Sequence, residues 1–208
     1  MAHTLPSPDI QAVCWDMGGV ILRTFDWRPR RRWERRLGIR PGGLAHLVFE
    51  GTVARRATVG QATIEDVWQE IGDRYGLTAS ERSALAADFF SGDGFDQDLL
   101  SAIQALRPRL RTCLISNAWP GTRELLASAS AADVFDLLVI SAEIGLAKPG
   151  PAIYQRALEG LRVGAEAAVF IDDMPANLEA AKSLGMRTVL FNGTRRTIAA
   201  VRRAVDST

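Results

Sequence analysis

Histidine and cysteine are scarce in this chain of 208 residues, which holds two of each: His3 and His46, Cys14 and Cys113. So few histidines argue against a histidine-based nucleophilic triad or a His-ligated zinc site. Both cysteines sit inside apolar runs, which predicts buried, reduced thiols in place of a disulfide framework or a thiol nucleophile. The net charge is +1, so no overall positive field is available to neutralise nucleic-acid phosphates. No apolar run is long enough to span a membrane, and Met1 to Gln11 lacks the basic start and apolar stretch of a signal peptide. The expectation is a cytoplasmic protein without nucleic-acid or membrane partners. Lysine is scarce too, with Lys148 and Lys182 the only two among 25 basic residues.

What is present begins with an ordinary globular composition, 47% hydrophobic and 24% charged, in a length that allows one core and an accessory lobe. The basic run Arg28-Pro29-Arg30-Arg31-Arg32-Trp33-Glu34-Arg35-Arg36 reads as the solvated face of a helix. The stretch around which the chain is organised is Val13-Cys14-Trp15-Asp16-Met17-Gly18-Gly19-Val20-Ile21-Leu22. It predicts a buried strand that presents Asp16 where the backbone turns. Such an Asp either opens a turn, or lies in the crevice at the carboxyl ends of parallel strands as a nucleophile or metal ligand.

From about Trp27 to Ser91 the pattern is helical, with segments such as Arg30 to Leu37, Leu44 to Glu50 and Thr63 to Tyr75 and no clear strand period. Thr63-Ile64-Glu65-Asp66 is a capping-box-like start, followed by an apolar stripe of Val67, Trp68 and Ile71. From Asp96 onward helices and short apolar strands alternate: Arg111 to Ser116, Leu137 to Ser141, Ala167 to Asp173 and Thr188 to Phe191. Helices are expected over Thr122 to Ala132, Ala152 to Leu161, Asn177 to Leu184 and Arg196 to Val205. With the first strand this makes five, the signature of an α/β fold with a doubly wound parallel sheet and a helical insert after the first strand.

Four of the five strand ends carry polar residues: Asp16, then Ser116-Asn117, then Lys148-Pro149 in the following loop, then Asp172-Asp173. A parallel sheet places them on one edge, so carboxylates, a hydroxyl, an amide and an ammonium converge. Clustered carboxylates require a cation, most naturally Mg²⁺, while Ser116, Asn117 and Lys148 suit a phosphoryl group. A lysine in an arginine-rich chain fits a need for a compact charge on a flexible stem.

The order Asp-x-Gly-Gly-Val, Ile-Ser-Asn, Lys-Pro, Ile-Asp-Asp-Met-Pro-Ala-Asn resembles the four motifs of the haloacid dehalogenase superfamily, over roughly residues 11 to 205. The resemblance implies a Rossmann-like core of residues 1–24 and 96–208, with a helical cap of residues 25–95. It implies Asp16 as the nucleophile and Lys148 as the stabiliser of its charge. Ser116 and Asn117, with Lys148, would meet the substrate. Asp16, the Gly18 carbonyl, Asp173 and Asp172 would hold Mg²⁺, with Asn177 supporting the acidic cluster. Phosphatases of the superfamily usually carry a second Asp, the general acid, where this chain has Gly18. Such a loss removes about 10² to 10⁴ in rate. Asp26 is a conceivable substitute, against a plain helix-start role.

The leading expectation is a Mg²⁺-dependent phosphohydrolase of a small phosphorylated metabolite, such as a sugar phosphate, acting through an aspartyl-phosphate. The alternatives are a binding or regulatory protein weakened in turnover, and a 2-haloacid dehalogenase. The substrate, the specificity residues of the cap, and the choice between monomer and homodimer stay open.

Overall fold

The computed structural model describes residues 9–206; His3 and most of Met1 to Gln11 lie outside them. The chain opens with β1 (Ala12–Trp15) and the short β2 (Leu22–Thr24), then five helices: α1 (Arg28–Arg36), α2 (Gly43–Glu50), α3 (Thr52–Thr58), α4 (Ile64–Tyr75) and α5 (Ala79–Phe90). β3 (Asp93–Phe95) and α6 (Gln97–Leu106) follow, then β4 (Arg111–Ser116), α7 (Thr122–Ser128), β5 (Leu137–Ile140), α8 (Ser141–Ile144) and α9 (Pro151–Leu161). A 3₁₀ turn at Ala165–Ala167 leads into β6 (Ala168–Asp172), α10 (Pro175–Ser183), β7 (Arg187–Leu190) and α11 (Thr194–Asp206).

The expected five strands form one parallel sheet in the order β5-β4-β1-β6-β7. Its central strand explains the apolar run at the start of the chain, since a strand covered on both faces is hydrophobic at every position. Val13 and Trp15 join one core with Leu99, Ile103, Leu126 and Val201, from α6, α7 and α11. Ala12 and Cys14 join the other, with Ile153, Tyr154, Leu158 and Leu178 from α9 and α10. Cys14 and Cys113 are partners in register, both fully buried and free, as expected; burial pushes the Cys113 thiol further up.

Helices α1 to α5 have a third apolar cluster, with Trp33, Leu44, Val67, Trp68, Ile71, Leu85 and Phe89. The capping box at Thr63 is present, Thr63 and Asp66 bonding each other's backbone N–H. A second box, Thr78 with Glu81, starts α5.

Three sequence expectations are revised. The helical segment is bracketed by a two-stranded antiparallel ribbon, β2 paired with β3, where no strand pattern was visible. Three-residue strands carry no readable period, and here the pairing partner lies some seventy residues away. Next, the helix from Thr122 ends at Ser128, with Ser130 already in the left-handed region at φ 53°. Finally, the basic run is not a uniformly solvated face. Arg30 is buried, with Nη2 at 2.7 Å from Asp93 and Nε donating to the Phe89 carbonyl at 2.7 Å. Glu34 is buried as well and accepts the N–H groups of Gly42 and Leu44.

Candidate active site

Strand register gathers the polar residues. Trp15 pairs with Ile171 on one side and Leu114 on the other, so the next residues, Asp16 and Asp172, emerge side by side, with Ser116 a residue beyond on β4. Strands in such register end on a common edge, and side chains there leave the apolar core for the crevice. Beyond Asp16 the chain turns back at once, the Met17 carbonyl accepting from the N–H groups of Ile21 and Leu22 at 2.8 Å.

Lys148 is the hub. Its ammonium lies 2.6 Å from Asp16 Oδ1 and 2.7 Å from Asp172 Oδ2, and its side chain is almost wholly buried. One oxygen from each of Asp16, Asp172 and Asp173 comes within 4.8 Å of the others. Three carboxylates facing one ammonium leave an excess of negative charge. Burial accordingly pushes the Asp16 carboxyl up to about 7, with Asp172 adding to the rise against the opposing Lys148. Asp173 is raised by the same causes, burial first and then Asp172. The donor set is all oxygen, and what it lacks is positive charge. A hard divalent cation such as Mg²⁺ fits both features.

The carboxylates differ in how they are occupied. Both Asp172 oxygens are engaged, accepting from the Met174 N–H at 2.7 Å, from Asn177 Nδ2 at 3.0 and 3.1 Å, and from Lys148. Asn177 is itself steadied by Tyr154, whose hydroxyl donates to the Asn177 carbonyl at 2.9 Å. Asp173 is half-buried and lies against Gly19, whose Cβ, if present, would fall 2.2 Å from Asp173 Oδ2. Gly19 has φ +78°, so both space and backbone demand glycine. Around Gly18, by contrast, an added Cβ would meet nothing within 4 Å among the described residues.

Ser116 is buried, and among the described residues its hydroxyl has no hydrogen-bond partner. A buried orphan hydroxyl costs free energy unless something arrives to satisfy it. Asn117 has both ends of its amide engaged with the Lys148 backbone, donating to its carbonyl and accepting its N–H, each at 2.8 Å. Sequence reasoning missed Ser141 as a partner of this loop: its hydroxyl accepts the Ala118 N–H at 2.9 Å and donates to the Ala118 carbonyl at 3.1 Å. The available signal was a serine ending an apolar strand, as at Ser116.

Asp26 is not one of the three carboxylates that come together here. It accepts the Arg28 N–H at 2.9 Å and pairs with the Arg28 guanidinium, a bond that holds its carboxyl down to about 2. Both bonds lie at the start of α1, whose first residue is Arg28. A cavity of about 230 Å³ between α6 and α11 is lined by Trp15, Leu106, Ile198 and Val201 among others and includes none of the polar strand-end residues.

Acidic, hydroxyl and lysine groups thus meet at the carboxyl edge of a parallel sheet, and comparison with known proteins assigns the chain to a class of hydrolases. It belongs to the haloacid dehalogenase-like hydrolase family, whose model matches residues 10–185. Among curated relatives it is 28% identical to a phosphatase of Mycobacterium tuberculosis, covering 95% of this chain and 94% of that one. It is 31% identical over 118 residues to bifunctional epoxide hydrolase 2 of Rattus norvegicus, covering 54% of this chain and 21% of the relative. The chain thus spans only a minor part of the length of the epoxide hydrolases it matches. In fold it is similar to a haloacid dehalogenase family enzyme of Bacteroides thetaiotaomicron, solved with magnesium and inorganic phosphate. That likeness has a TM-score of 0.72 at 20% identity and covers 88% of this chain and 94% of that one. Among the described residues no helix is long and apolar enough to cross a membrane.

Proposed function

We propose that the protein is a Mg²⁺-dependent phosphohydrolase of a small phosphate monoester, with residues 25–95 as a cap over the crevice. The observation that carries this reading is Lys148 bridging Asp16 and Asp172 on the same strand edge as a Ser116 hydroxyl that has no partner among the described residues, donors for an anion in a site short of positive charge. The similarity to a phosphatase over nearly the whole chain supports it.

In this mechanism the Ser116 hydroxyl and the Lys148 ammonium hold the phosphoryl oxygens, orienting phosphorus toward Asp16. A carboxylate oxygen of Asp16 attacks phosphorus, forming an aspartyl-phosphate as the ester P–O bond breaks. The departing alkoxide takes a proton from water, since Gly18 has no side chain to supply one. A water molecule then cleaves the acyl-phosphate, releasing inorganic phosphate and regenerating Asp16. Asp16, the Gly18 carbonyl and Asp173 would hold Mg²⁺, which neutralises charge on the carboxylates and the phosphoryl oxygens. Asp172, its oxygens already occupied, anchors Lys148 and touches the cation at most through water. Asn117 positions Lys148 through its backbone, and Asn177 positions Asp172.

The test is release of p-nitrophenol from p-nitrophenyl phosphate with and without Mg²⁺, alongside Asp16→Asn. That leaving group needs little protonation, so the missing acid does not mask the chemistry. Turnover that requires Mg²⁺ and disappears in the variant, with its thermal unfolding unchanged, is the expected result. Metal-independent turnover of a 2-haloacid would instead establish a dehalogenase. Mg²⁺ binding without any turnover would leave a binding protein.

A further inference from the structure

The loop that carries Ser116 is fastened firmly, and what it presents next is aromatic. Asn117 ties it to Lys148, Ser141 ties Ala118, and Thr122 Oγ donates to the Trp119 carbonyl at 2.8 Å. Trp119 is thereby held three residues past Ser116, yet its indole packs into the apolar cluster of the helical segment. Phe49, in the last turn of α2, lies with its ring centroid 5.7 Å from Trp119 and 5.6 Å from Phe89. Phe49 as a residue remains 48% exposed. The seam between helical segment and core, on the strand edge that carries the polar site, is therefore walled by an aromatic pair in which Phe49 is the exposed member and the buried Trp119 its backing. Beside the acidic pair Met174 is 51% exposed, although its own N–H is bonded to Asp172.

Single exposed apolar residues are ordinary, but an exposed ring packed on the loop that carries Ser116 stands where the organic part of a ligand held by that loop would pass. Rings and a thioether offer a sugar few hydrogen-bond partners, while they favour hydrocarbon by removing it from water. We infer that the site takes phosphate monoesters whose organic group is apolar, and that Phe49 and Trp119 form the surface that selects it. The inference rests on the phosphohydrolase reading and narrows it: the phosphoryl group meets Ser116 and Lys148, and the tail lies along the aromatic wall.

The experiment compares kcat/KM for octyl phosphate and glycerol 3-phosphate, two alkyl esters alike in leaving group and unlike in tail, with Mg²⁺ and with p-nitrophenyl phosphate as control. Native protein is expected to favour octyl phosphate by at least about tenfold, the discrimination that apolar pocket contacts supply. Phe49→Gln should shrink that ratio about tenfold through KM, and Phe49→Leu, which keeps the apolar volume, should retain most of it. Equal use of the two esters, or a ratio untouched by Phe49→Gln, overturns the inference while hydrolysis of the control leaves the phosphohydrolase reading standing. If the control itself is not hydrolysed, that reading fails and the inference falls with it.

Discussion

Two adjacent glycines have opposite constraints. Gly19 has a left-handed backbone and Asp173 where a Cβ would go, whereas Gly18 faces open space with no conformational demand. Gly19→Ala is therefore expected to displace Asp173 and abolish Mg²⁺ binding, which calorimetry reads directly. Gly18→Asp should be accommodated without loss of stability. If a missing general acid limits the rate on alkyl phosphates, that variant gains up to about 10² in kcat, and gains far less on p-nitrophenyl phosphate. A gain equal on both substrates would show that proton donation is not what the new carboxylate supplies.

Charge acts on this protein at the level of whole elements in the short ribbon β2–β3, where the helical segment enters and leaves. Thr24 donates to Asp93 across the ribbon at 2.7 Å, and Arg30 of α1 reaches the same carboxylate from a buried position. The guanidinium also lies 3.9 Å from the centre of the Phe89 ring, so one arginine joins α1, the ribbon and α5. Arg30→Ala leaves Asp93 with its strongest partner gone and a void beneath α1. Breaking such a pair costs about 3 to 5 kcal/mol, expected as a fall in the urea midpoint with little change in m. The neighbouring Arg28 pair with Asp26 is exposed, and Arg28→Ala should move the midpoint very little. A comparable effect from both would mean that burial does not set the strength of these contacts.

Across the whole molecule, folding stability and the proposed metal binding draw on the same three carboxylates. Folding brings Asp16, Asp172 and Asp173 together at a cost in repulsion, so a cation that binds only the folded state offsets that cost. Mg²⁺ at a hundredfold its dissociation constant should add about 2.7 kcal/mol, seen as a rise in the unfolding temperature. Asp173→Ala should remove that rise while leaving the metal-free melting temperature equal or higher. A rise that survives the substitution would put the cation elsewhere.

The five sheet strands, the helical insert and the capping box at Thr63 were legible because burial on both faces, helical period and capping chemistry are local properties of residue order. The polar strand ends were legible for the same reason, since a charged residue closing an apolar run stands out. What the tertiary structure alone decided depends on contacts between distant parts of the chain. The β2–β3 ribbon exists only as a pairing of two short segments, and Arg30 is buried only because α5 and the ribbon close over it. That the Asn117 amide fastens its loop to the Lys148 backbone is another such contact, between residues 31 positions apart. Asp172 and Asp173 are neighbours of identical type, yet one is filled with donors and the other faces Gly19. Residue order names which groups are available, but the division of labour among them is set by who reaches whom, and that is settled only when the sheet is assembled.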